Sequence, residues 1–195
     1  MLSQIRPAIV ATLFFTLLLG VAYPLAITGI ARVAFPVQAE GSLLHDSTGK
    51  VIGSALIGQA FAKPEYLHPR PSAAGMGYDA SNSSGSNYGP LNPDLIKRVK
   101  GDADSLRAAG LRQIPADAVT TSASGLDPDI SPAYALLQAD RIARARGVPA
   151  ERVRALVGAR VTPPWLGFIG QARVNVLQAN LALDAALPKG HTAAP

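Results

Sequence analysis

From Pro7 to Ala31 the chain runs 25 residues without a charge, bounded by Arg6 and Arg32. A bilayer core about 30 Å thick requires roughly 20 apolar residues in helical form. The run is apolar on every face, unlike a helix that packs one side against a water-soluble core. It predicts a transmembrane helix over 8–31 after a short tail, 1–7; Arg6 and Arg32 give positive-inside counting little contrast, and a short tail before a long domain favours a cytoplasmic tail. Pro24 is tolerated near the end of such a helix and predicts a kink. Gly20, Ala22, Ala26 and Gly29 are candidates for close packing against partner helices. A cleaved signal peptide has a shorter apolar core with a small-residue site directly behind it. Here Val37-Gln38-Ala39 comes late.

Past position 35 the pattern turns mixed. Ser42 to Gly58 alternates around Asp46-Ser47-Thr48-Gly49 and predicts a hairpin. Asn92-Pro93 opens a helix that Gly110 closes, with Asn92 as cap and Gly101 as a weak point. Val119 to Ser122 predicts a short strand. Ser131-Pro132 repeats the cap-plus-proline signal and predicts a helix to Arg146, stopped at Gly147. Further helices are predicted over 149–158 and 175–187, the last with Leu177, Leu181, Leu183 and Leu187 near one stripe. The tail 188–195 reads as disordered. The fold class is therefore a single N-terminal transmembrane α-helix followed by one α+β soluble domain, 36–187.

Charge changes this picture little. The formal net charge is +5, yet removing Arg6 and Arg32 leaves 16 basic against 13 acidic residues. Ala139 to Arg160, with six arginines, has the outline of a helix-turn-helix. Its second helix carries only Glu, Arg and aliphatic residues, without the Asn, Gln, Ser or Thr that read bases. The plainer reading is two solvated helices, and no nucleic-acid partner is expected. There is no cysteine, so disulfides and thiolate zinc sites are excluded.

The search for chemistry is mostly negative. No phosphate-binding G-x-x-x-x-G-K-[ST] and no G-x-S-x-G elbow occurs. Asp46-x-Thr48-Gly49 has the outline of a P-type ATPase phosphorylation loop but lacks its lysine, and the turn reading is preferred. His45, His68 and His191 have no metal-ligand spacing and read as solvated loop residues. Asp127 and Asp129, with Ser124 and Ser131, could gather round a cation, but turn chemistry and capping explain them as well. The expectation is no catalytic residue and no metal site. Two polar loops, 70–90 and 122–132, remain without a role.

Those loops and their flanks resemble the KdpC family. Gly53 to Ala73 reads GSALIGQAFAKPEYLHPRPSA, and Ser83 to Leu95 reads SSGSNYGPLNPDL. Val119 to Gly147 reads VTTSASGLDPDISPAYALLQADRIARARG, and Gly167 to Asp184 reads GFIGQARVNVLQANLALD. Each is similar to that family's pattern, over roughly residues 5–185. Ser84 departs from it, standing where the family has the first glycine of S-G-G-S, and Leu67 stands where Phe is common.

The resemblance implies the C subunit of the Kdp potassium-transporting P-type ATPase. It is expected to be an accessory subunit of a high-affinity ATP-driven potassium uptake pump in the plasma (inner) membrane. Assembly and turnover would need it. It would have no catalytic centre of its own and a C-terminal domain on the extracytoplasmic side. Its partners would be the potassium-pathway subunit, the P-type ATPase subunit and the lipid bilayer. Potassium would be the transported ion of the complex. No cofactor would be held tightly, with ATP acting through the ATPase subunit, whose ATP affinity the chain would raise. The alternative is a membrane-anchored nucleotide-binding regulator with a cytoplasmic domain, for which Ser84, Gly85, Ser86 and Asn87 are the cofactor-binding candidates.

As interface, the loops offer Gln59, Arg70, Ser72, Ser86, Asn87 and Asn92 for directional hydrogen bonds, and Tyr78 and Tyr88 as anchors. Ser122, Ser124, Asp127 and Ser131 add polar groups from the second loop. The competing reading is that these residues stabilise their own loops through Asx and Ser turns.

Overall fold

A computed structural model describes residues 2–46 and 48–187. The chain forms two compact units, Met1–Ser54 and Ala55–Pro195. The predicted tail, 188–195, and His191 lie outside the described residues.

The first unit is built on helix. α1 (Ile5–Leu17) continues through a π-turn at Leu18–Ala22 into α2 (Tyr23–Ala34). Together they form one apolar helix, Ile5–Ala34, long enough to cross a membrane and with no buried residue in its apolar window. The π-turn has a local cause. Pro24 supplies no N–H to the carbonyl four residues back, and its ring crowds that turn. The ladder there widens, with the Tyr23 N–H donating to the Leu18 carbonyl. Phe35 ends the helix because the residue before a proline is held out of the helical region; its φ is −140° and ψ 60°. A single turn, α3 (Pro36–Ala39), follows.

The predicted hairpin is present as β1 (Leu43–His45) and β2 (Val51–Ser54), antiparallel. Asp46 staples its turn. One carboxylate oxygen accepts from the Thr48 N–H at 2.8 Å, the Thr48 hydroxyl at 2.6 Å and the Lys50 N–H at 3.0 Å. The Thr48 hydroxyl foremost, then the turn amides, hold the Asp46 pKa below its ordinary value. Its role is that of a turn aspartate.

The second unit surrounds a three-stranded antiparallel sheet in the order β3-β5-β4: β3 (Asp129–Ile130), β4 (Val161–Thr162) and β5 (Arg173–Asn175). Val174 sits opposite both Ile130 and Val161. Strands of two or three residues show no alternation long enough to detect, and none of the three was predicted. Helices supply most of the core. α4 (Pro93–Ala108) begins as predicted, the Asn92 side chain accepting from the Asp94 N–H at 2.8 Å, and Gly101 does not interrupt it. The predicted 132–146 helix is two, α5 (Pro132–Leu137) and α6 (Ala139–Arg146). They meet at Gln138, where the ladder tightens and the Gln138 N–H donates to the Ala135 carbonyl. α7 (Ala150–Gly158) and α8 (Val176–Ala186) complete the unit.

Gly147, at φ +65°, closes α6 in the left-handed region, and the Val148 N–H reaches back to the Ala143 carbonyl at 3.0 Å. Ile142, Val153, Val157, Val174, Leu183 and Leu67 are essentially without solvent exposure. Each such large aliphatic side chain contributes about 1.5–3 kcal/mol on burial.

Two readings are corrected. Val119–Ser122 is not a strand. Val119 has φ −127° and ψ 1°, and the carbonyls of 119, 120 and 121 accept from arginine side chains instead of a ladder. The α6–α7 pair is not simply solvated either. α6 buries Ala139, Ile142, Ala143 and Arg146, and α7 buries Val153 and Val157.

Candidate interaction site

Between Ala55 and Leu91 the chain has no helix or strand. So long a stretch is ordered only if other groups satisfy its backbone. Two separate constructions do this.

The first ties down residues 64–68. The Asn180 amide, on α8, accepts from the Leu67 N–H at 2.7 Å and donates to the Leu67 carbonyl at 3.0 Å. The Gln138 amide does the same for His68, at 2.8 and 3.0 Å. Each side chain thus imitates a neighbouring strand. Arg141 donates to the carbonyls of Pro64, at 2.6 Å, and Tyr66, at 2.9 Å. Arg146 donates to the Glu65 carbonyl at 2.8 Å and pairs with Asp184 at 2.7 Å. It also lies 5.3 Å from the centre of the Tyr66 ring. The Tyr66 hydroxyl donates to Asp184 at 3.0 Å. Burial leads in raising the Tyr66 hydroxyl pKa and in lowering that of Arg141. His68 is half-buried rather than solvated. Burial first, then the Arg141 charge, lowers its pKa.

The second construction closes the 70–90 loop onto 119–127. Arg70 donates to Asp127 at 2.7 Å and to the Thr120 and Thr121 carbonyls at 3.3 Å. The Ser72 hydroxyl donates to the Gly125 carbonyl at 2.7 Å and accepts from the N–H groups of Ala74 and Tyr78. The Tyr78 hydroxyl donates to the Arg70 carbonyl at 2.6 Å. Burial, ahead of the nearby Asp127 charge, pushes the Tyr78 hydroxyl pKa well upward. The Ser84 N–H and Ser83 hydroxyl both donate to the Ser124 carbonyl. The Ser86 hydroxyl accepts from Thr121 at 3.4 Å, and the Ser122 and Ser124 hydroxyls lie 3.5 Å apart.

Glycine is required where the backbones cross. Gly125 has φ +67°, and a Cβ there would stand 2.6 Å from the Ala74 nitrogen and 2.7 Å from the Ser84 carbonyl oxygen. At Gly85 a Cβ would stand 2.9 Å from the Ala123 carbonyl oxygen. At Ser84 the hydroxyl turns to the Gly85 carbonyl, at 3.0 Å. Close approach therefore needs Gly85 and Gly125, and position 84 accommodates a side chain.

The predicted interaction residues divide. Arg70, Ser72, Tyr78, Ser86, Ser122, Ser124 and Asp127 come together and mainly hold each other. Asn92 and Ser131 cap α4 and α5. Gln59 is half-buried, and Asn87 and Tyr88 face solvent. Asn87 has φ +53°, a conformation asparagine tolerates. In the first unit, about 100° per residue places Ala22, Ala26 and Gly29 on one side of the helix and Gly20 nearly opposite.

Arg70, Asp117, Asp127, Asp129, Ser131 and Arg173 line a cleft of about 540 Å³. Its charges are largely satisfied: Asp127 by Arg70, and Asp129 by Arg173 at 3.0 Å and Asn175 at 3.2 Å. Asp117 accepts from both the N–H and the hydroxyl of Ser131. Burial raises the Asp129 pKa despite its partners. No group of three His, Cys, Asp or Glu able to hold a metal occurs among the described residues. The residues missed from sequence are Gln138, Arg141, Arg146, Asn180 and Asp184. The signal for them was the run of polar residues inside otherwise apolar helical stripes.

These features define a protein with one apolar helix long enough to cross a membrane and an α+β domain whose polar loops are locked by their own chain. Residues 5–185 match the family described as KdpC, K+-transporting ATPase, c chain. The chain belongs to this KdpC family. It is 67% identical over 189 residues to the Potassium-transporting ATPase KdpC subunit of Caulobacter vibrioides, covering 96% of each chain. It is 60% identical over 191 residues to that of Beijerinckia indica, again covering 96% of each. With the Rhodopseudomonas palustris protein it shares 52% identity over 202 residues, covering 97% of this chain and all of the relative.

Proposed function

We propose that this chain is a non-catalytic accessory subunit of a high-affinity, ATP-driven potassium uptake pump. Its helix docks against the membrane helices of the partner subunits, with Ala22, Ala26 and Gly29 on the contacting side. Its domain stands on the extracytoplasmic side over the ion entrance of the potassium-pathway subunit, where it supports assembly and turnover. The observation that carries this reading is the closed pair of loops. Their polar groups are spent on holding a shape, which suits a rigid docking platform better than a reactive site. Asn87 and Tyr88, exposed at the end of that platform, are the contact residues put forward.

An increase in the ATP affinity of the ATPase subunit fits this reading as an effect of contact. Of the stretch considered for a nucleotide, Ser84, Gly85 and Ser86 are engaged by residues 121–124, and Asn87 is exposed. The test removes the chain from the purified complex. Loss of assembly or of potassium-stimulated ATP hydrolysis is expected, and full turnover without the chain would refute the role. Protease added outside intact spheroplasts should digest the domain; protection would place it in the cytoplasm and revive the nucleotide-binding regulator.

A further inference from the structure

Between β4 and β5 the chain makes a tight turn whose tip is almost wholly apolar. The Trp165 and Ile169 backbones exchange hydrogen bonds at 2.9 Å each, and the Gly167 N–H donates to the Pro164 carbonyl at 3.0 Å. Leu166 and Gly167 both have positive φ, 51° and 82°. A leucine held left-handed is uncommon. Trp165, Leu166, Phe168 and Ile169 are exposed by 68, 66, 76 and 47%. A fold that buried its own large side chains would not leave these four at one turn without reason.

The surroundings say what covers them. From Arg160 to Arg173 the sequence holds two arginines and no carboxylate. Arg173 is paired with Asp129, and Arg160 has no ion pair among the described residues. The tip itself offers one side-chain hydrogen-bond donor, the indole N–H. A protein partner usually meets an apolar centre with a ring of hydrogen-bonding groups; beside this tip only Thr162 and Gln171 offer exposed polar side chains without charge. Trp beside aliphatic residues with a basic flank suits the boundary between headgroups and acyl chains, where anionic lipids attract arginine. The same chain carries a membrane-spanning helix, so the domain stays near a bilayer and insertion is effectively intramolecular.

We propose that the 165–169 turn is a second membrane contact. Trp165 sits at headgroup level, Leu166 and Phe168 enter the acyl boundary, and Arg160 faces the phosphates of anionic phospholipid. The contact forms on whichever side of the membrane the domain lies.

Trp165 is the only tryptophan, so its emission reads the tip alone. The full chain is reconstituted in vesicles of phosphatidylcholine and phosphatidylglycerol, with iodide on both sides. With dibrominated acyl chains the emission should fall by roughly half, for a ring about 5–10 Å into the boundary, and iodide should quench weakly. Leu166→Ser with Phe168→Ser should reverse both effects while far-UV circular dichroism stays unchanged, since both side chains are exposed. Arg160→Glu should weaken bromolipid quenching in anionic vesicles more than in neutral ones. Strong iodide quenching without a bromolipid effect would overturn the proposal. So would shielding from both quenchers only when the other pump subunits are added, which would make the tip a protein contact.

Discussion

The guanidinium of Arg146 lies 2.7 Å from the carboxylate of Asp184, and the Arg146 side chain is wholly screened from solvent. Asp184→Ala removes that cation's carboxylate and the acceptor of the Tyr66 hydroxyl. Breaking a buried pair costs about 3–5 kcal/mol, and the 21% exposure of Asp184 places the loss at the lower end. A denaturant titration of the detergent-solubilised chain should show the midpoint fall. Arg146→Lys should also be destabilising, because lysine cannot serve the Glu65 carbonyl and Asp184 with one planar fork. Arg146→Met with Asp184→Leu should recover part of the loss.

Gly125→Ala combines a left-handed backbone with a side chain driven into Ala74 and Ser84. The backbone effect alone is about 1–3 kcal/mol, and the clash adds to it. Gly77→Ala, at φ +111° with nothing within 4 Å, carries backbone strain without a clash, so the pair separates the two costs. Protease resistance of the 70–90 loop ranks the two.

Ser84→Gly should leave stability within about 0.5 kcal/mol of the parent. Gly85→Ser should open the loop, because its Cβ meets the Ala123 carbonyl. Thermal unfolding of the two variants side by side checks this asymmetry.

Asn180→Leu keeps the branched shape, though not the volume, and removes both partners of the Leu67 backbone. Each buried group left unsatisfied costs about 1–3 kcal/mol. Hydrogen exchange at the Leu67 amide should accelerate while amides of α7 stay protected. An unchanged rate at Leu67 would show that the amide bridge does not hold the segment.

The His68 ring binds its proton less readily folded than unfolded, because it is buried and faces Arg141. The unfolded chain therefore takes up protons first. The contribution is fully present above pH 6.5, the ordinary value, and is lost as pH falls below it until the folded ring also protonates. Denaturant midpoints on either side of pH 6.5 should show that decline, and His68→Gln should flatten it, leaving the backbone bridge to Gln138 intact. Asp129 works in the opposite sense: burial raises its pKa, so stability is gained as pH falls through its folded value. Asp129→Asn separates the two.

The apolar helix and the caps at Asn92 and Ser131 were legible because they are local events, a run without charge and a side chain bonding two or three residues ahead. The central sheet was not, since strands such as Asp129–Ile130 exist only through partners far along the chain. The loops lay between these cases. Composition showed 70–90 only as a polar loop without a role, and the resemblance of its specific words set it apart. That Ser72 answers Gly125, or Gln138 answers His68, is a pairing that spacing cannot supply. The arginines of α6 suggested a basic surface, yet Arg141 and Arg146 turn inward to backbone carbonyls.

The strap at 64–68 also constrains how the domain is made. Leu67 waits for a partner 113 residues later, and Tyr66 for one 118 residues later. Contacts so distant form late, after the loop-closure entropy has been met. During synthesis, Glu65, Tyr66 and His68 meet Arg146, Arg141 and Gln138 of the earlier helices, but the Leu67 backbone has no partner until α8 brings Asn180. A chain cut short before Asn180 would leave that segment open to proteases, so the last helix serves as a completeness check on the whole domain.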